Sequence, residues 1–108
     1  MAIEFNSFVG FCELTIKYRD HAPYPHHATT YTIRIGKNGS IYFFVGATEV
    51  PQLPTNESSV NLGMCLAEHR DAILEFMNAK DTVEAVNTYW KVKTAITGQT
   101  PKGPVKIG

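Results

Sequence analysis

The chain has 108 residues, of which 44% are hydrophobic and 11% aromatic, and its ten basic and ten acidic side chains cancel to zero formal net charge. This length makes one domain around one modest core, and the composition excludes a disordered chain. Neutrality argues against a dedicated nucleic-acid binder, which needs a basic face to release counterions, and it removes the repulsion that keeps copies apart.

Met1 is followed by mixed residues, with neither the basic start nor the apolar stretch of a leader peptide. No apolar run approaches a membrane span, so a cytoplasmic location without a membrane partner is expected. In a reducing compartment Cys12 and Cys65, both in apolar contexts, read as buried free thiols.

In chain order, Ala2 to Phe5 reads as a short strand end. Phe8, Cys12, Leu14, Ile16 and Tyr18 then alternate with the polar Glu13, Thr15, Lys17 and Arg19. That is the period of a strand with one wet face, with Gly10 as a bulge or bend. Residues 20–28 form a loop stiffened by Pro23 and Pro25. A second strand spans Thr29 to Gly36. Lys37-Asn38-Gly39-Ser40 predicts a hairpin with a two-residue type I′ turn. Such a turn opposes Ile35 to Tyr42 and Ile33 to Phe44, which with Tyr31 make one apolar face. Ile41, Phe43 and Val45 then fall on a mixed face with Thr30, Thr32 and Arg34.

Ala47 to Glu57, with Pro51 and Pro54, reads as a connector. Leu62, Cys65, Leu66, His69, Ala72, Ile73, Phe76 and Met77 share one face at helical spacing, predicting a helix over 59–79 capped by Ser58 or Ser59. Asp81 with Glu84 reads as a capping box for a second helix, which runs to Thr97 and stops at Gly98 with Pro101 beyond. The Gly/Pro-rich residues 99–108 read as a flexible tail, in which Val105-Lys106-Ile107 is able to dock as an edge strand. Strands followed by helices imply an α+β fold: an antiparallel sheet of three or four strands, then two helices packed on one face, all within residues 1–98.

The histidines His21, His26 and His27 are of a type that binds zinc. Adjacent side chains of an extended segment point apart, however, and the spacing matches no standard zinc pattern, so a solvated loop is the preferred reading. Tyr24, held between two prolines, presents an aromatic ring to a partner at little ordering cost. Cys65 and His69 stand four apart, the spacing of a thiol and its base or of two metal ligands. They fall on the apolar stripe without an identifiable third group, which favours a packed thiol beside a core-edge histidine. The sequence holds no GxGxxG, GxSxG, HExxH or paired CxxC, and no cofactor is expected. Lys17, Arg19 and Arg34 near aromatics are able to stack bases, yet there is no run of aromatics like that of an RNA-recognition sheet, and the aromatic face is expected beneath the helices.

The expected function is that of a non-enzymatic binding protein acting as a homodimer. It rests on surplus apolar surface: Phe43 and Val45 on the second sheet face, and Val83, Tyr89 and Trp90 on an unusually wide arc of the second helix. One alternative is a pocket for a small apolar ligand lined by those aromatics. Another is a small metal-dependent or Cys/His enzyme.

Overall fold

A computed structural model describes residues 3–19 and 28–101. The loop carrying His21, Tyr24, His26 and His27, and the segment Val105 to Ile107, lie outside the described residues.

Five strands form one antiparallel sheet in chain order: β1 (Glu4–Phe8), β2 (Phe11–Arg19), β3 (Ala28–Gly36), β4 (Ile41–Val45) and β5 (Thr48–Val50). Two helices follow, α1 (Glu57–Met77) and α2 (Thr82–Thr97). The α+β order is as expected, with more strands than the predicted three or four.

Both additional strand pairings come from glycine turns. Gly10 does not bulge a single long strand; it ends one. Phe8 pairs with Phe11 across a Val9-Gly10 loop in which Gly10 has φ of 87°, the sign pattern of a type II turn. Val45 pairs with Thr48 across Gly46-Ala47, where the positive φ of 60° at Gly46, followed by a negative one, is the type II′ pattern that hairpins favour.

The third hairpin corrects the predicted register. Ile35 pairs with Ile41, Arg34 with Tyr42 and Ile33 with Phe43, one residue away from the type I′ expectation. Gly39 alone in the turn has positive φ, at 89°, whereas type I′ requires it at Asn38 as well. The loop is the three-residue kind, a turn closed by glycine in the left-handed region. Gly36 donates its amide to the Ser40 carbonyl at 2.8 Å, and the Asn38 side chain accepts from the Ser40 amide at 3.1 Å. Because side chains alternate with period two, this single step exchanges the faces of β4. Ile41, Phe43 and Val45 join the core side, and Tyr42 and Phe44 turn to the opposite face.

The core lies between the sheet and the helices. Phe5, Cys12, Leu14, Ile16, Tyr31, Ile33 and Ile35 meet Leu62 and Ile73 of α1 and Val92 of α2, all essentially inaccessible to water. Each fully buried Leu, Ile or Val of this set contributes about 1.5–3 kcal/mol. Helix α1 lies over β2 and β3, and α2 over β1. The start of α1 is set by Asn56 rather than by a serine cap. Asn56 and Ser59 exchange side chain-to-backbone bonds as a capping box, and Asn56 also donates to the Tyr31 hydroxyl at 2.9 Å. Helix α2 is capped by Asp81, whose carboxylate accepts from the Glu84 amide, and ends at left-handed Gly98 with φ of 75° as the sequence predicts. The Glu84 carboxylate accepts from the Lys80 amide instead of that of Asp81, so only half of the predicted capping box forms.

Candidate functional site

The helices cover one face of the sheet. The other face is built by the odd residues of β2 and the even residues of β1, β3 and β4. Its centre is an arginine held between rings. Arg34 places its guanidinium carbon 4.3 Å from the Phe11 ring centre and 4.6 Å from that of Phe44, which brackets it along the face. Its Nε and Nη2 both donate to Oε2 of Glu13, the residue opposite on β2, at 3.1 and 3.0 Å. Phe8 stacks on Phe11 with ring centres 5.0 Å apart. Tyr42, paired with Arg34 from β4, is 44% exposed and Phe8 is 48% exposed. The face thus carries four aromatic rings around one charge pair. Among the described side chains the face also carries Glu4, Glu13 and Glu49 with Lys17 and Arg34, and Lys37 stands at the adjoining turn.

At the turn end of this face Phe11, Arg34 and Tyr42 meet the Gly36–Ser40 loop around an open concavity of about 390 Å³. The Lys37 amide donates to the Gly10 carbonyl at 3.2 Å, tying together the two turns that line it.

The residues singled out from sequence fall elsewhere. Phe43 and Val45 pack against the core on the helix side, which removes the ground on which they were chosen as partner-binding residues. Tyr89 fills the space between β1 and the helices: its ring centre is 5.9 Å from Phe5 and 5.5 Å from Phe76. Trp90 sets its edge against Tyr89 and is part-buried, while Val83 is exposed. The wide apolar arc of α2 therefore serves largely as a third wall of the core. Phe8, Phe11, Arg34, Tyr42 and Phe44 are the surface residues that sequence reasoning missed as a group. The signal was Ile41–Val45 itself, five apolar residues in a row, of which a strand must show alternate ones to each face.

Cys65 and His69 are both part-buried on α1, and among the described residues no hydrogen bond joins them. Burial raises the Cys65 thiol above its ordinary value, and the nearby Glu68 carboxylate raises it further. His69 instead approaches Glu68 at 3.8 Å. Burial pushes the Cys12 thiol up to about 11, against a smaller opposing effect of its hydrogen bond with Ser7. Both thiols are therefore protonated near neutral pH and are poor nucleophiles. Among the described residues no three His, Cys, Asp or Glu side chains converge as metal ligands, and no helix is long and apolar enough to cross a membrane. No family model, curated protein or solved structure matches the chain.

Proposed function

We propose that the protein is a non-enzymatic binding protein that acts as a homodimer joined through the open sheet face. The observation that carries this reading is the set of Phe8, Phe11, Tyr42 and Phe44 around Arg34 on the side that the helices leave uncovered. Aromatics and arginine are the residue types that dominate protein interfaces. Charges of both signs on the face, Glu4, Glu13 and Glu49 with Lys17 and Arg34, give a second copy complementary partners.

Pairing through the sheet edges is the competing geometry, and both edges are blunted. Lys93 of α2 donates to the Phe5 carbonyl on β1. At the other edge β5 has three residues and is followed by Pro51. Charged caps, short strands and proline are standard protection against edge pairing, which leaves the face as the available surface.

Sedimentation equilibrium tests the reading. The wild type is expected to dimerise at micromolar concentration. Phe8→Ser with Tyr42→Ser, at half-exposed positions that tolerate polar residues, is expected to weaken the dimer by about a hundredfold, as loss of two central aromatic anchors does. A wild type that stays monomeric to millimolar concentration overturns the proposal.

A further inference from the structure

We propose that the concavity at the turn end of the open face is a binding site for an aromatic oxyanion, a ring bearing a carboxylate or phosphate, gripped end-on by Arg34. The site lies within one chain and shares Phe11, Arg34 and Tyr42 with the proposed dimer face, so ligand and second copy compete for it and the test is made on the monomer.

The hydrogen-bonding geometry of Arg34 carries the argument. A guanidinium has five N–H groups on two usable edges. The side-on edge, Nε with Nη2, is occupied by Glu13. Phe11 and Phe44 each hold a ring within cation–π distance of the guanidinium carbon. The end-on edge, formed by Nη1 and the second hydrogen of Nη2, bonds to none of the described residues, and Arg34 lines the concavity. That edge has the spacing to hold two oxygens of a carboxylate or phosphate. The rings and Glu13 also fix the side chain, so little rotamer freedom remains to be lost on binding.

The surroundings define the rest of the ligand. Glu13 cancels one positive charge, and Lys37 at the rim supplies another, so two cations face one carboxylate and the site keeps an excess of one positive charge. Ser40 and Tyr42 also line it, and both carry hydroxyls that are able to donate to an oxyanion. Phe11 and Tyr42 offer ring surface for stacking a flat group. A volume of about 390 Å³ is at the small end of ligand sites, enough for one ring and its charged group.

The test is an amide-shift NMR titration of the Phe8→Ser protein, because Phe8 lies outside the concavity and its loss disfavours the dimer. The probes are phenyl phosphate, benzoate, inorganic phosphate and acetate. Phenyl phosphate or benzoate is expected to shift the Gly10, Lys37 and Tyr42 amides saturably, at least about tenfold more tightly than its ring-free counterpart. Whichever aromatic binds more tightly identifies phosphate or carboxylate as the natural headgroup. Arg34→Lys keeps the charge and loses the paired geometry, and is expected to weaken binding about tenfold. Lys37→Ala, on an exposed turn that keeps the fold, is expected to weaken it severalfold. Absence of saturable shifts at millimolar probe, equal binding of inorganic phosphate and phenyl phosphate, or unchanged binding by both variants overturns the proposal.

Discussion

Lys93, near the end of α2, donates its ammonium to the carbonyl of Phe5 at 2.8 Å, bridging 88 positions of the chain. Phe5 itself is wholly buried, with its ring against Phe76 and Tyr89. One residue of α2 therefore holds the first strand by its backbone while the neighbouring helical turn holds it by its side chain.

Lys93→Met keeps the aliphatic stem and removes the donor. It is expected to cost about 1–2 kcal/mol, the lower part of the range for a hydrogen bond to a charged group because the contact is only part-buried. It should also raise the tendency to aggregate, since the β1 edge loses its charge. Urea melts and light scattering read the two effects separately. Unchanged scattering together with unchanged stability would show that the contact guards nothing.

The turn between β3 and β4 makes a prediction that discriminates between loop types. Gly39→Ala places a side chain at φ of 89° and is expected to cost about 1–2 kcal/mol from backbone strain alone, because the added Cβ meets only the end of Arg70 at 3.7 Å. Asn38→Gly is expected to cost about 1 kcal/mol through the lost bond to the Ser40 amide and the freer unfolded chain. In a type I′ turn the same substitution would be close to neutral. Thermal melts of the two variants decide.

The helices and most of the strands follow from the sequence. Asp81 and Gly98 mark the ends of α2 because capping is local chemistry. The alternation from Phe11 onward places β2 for the same reason. The faces of β4 do not follow. Ile41 to Val45 is apolar throughout, so its period carries no direction, and the choice passes to the turn. Asn38-Gly39 suits a two-residue loop and equally a three-residue loop ending in left-handed glycine. The hydrogen bond between Gly36 and Ser40 selects the second, and with it which aromatics meet water. Thr48–Val50 is too short for alternation to register, and Val9, fully exposed at a turn tip, disguises the end of β1. The open-face cluster around Arg34 was hidden behind that one register step.

Cys12 makes stability depend on pH in the alkaline range. Its folded-state value of about 11 lies above the ordinary value of 9.0, so the folded state holds the thiol proton more tightly than the unfolded chain does. The sign follows from linkage: the contribution is fully present below pH 9, declines as pH rises, and is lost through about pH 11. The full effect is roughly 2–3 kcal/mol. Cys12→Ala is expected to be less stable at pH 7, through the cavity it leaves, and to lose less stability between pH 9 and pH 11 than the wild type. Parallel urea denaturation series across that range check it; identical slopes for both proteins would remove Cys12 as the cause.

The order of the sheet also bears on how the chain folds. Each strand pairs with its neighbour in sequence, so every pairing closes a short loop and loses little chain entropy. The docking of the helices on the sheet is long-range, that of α2 on β1 most of all, since it joins the two ends of the fold. The hairpins are expected to form early and this contact late, so substitutions at Lys93 act mainly on the unfolding rate and those at the β3–β4 turn mainly on the folding rate. The last contact to form is then expected to be the first to open, with α2 leaving β1 before the strands part.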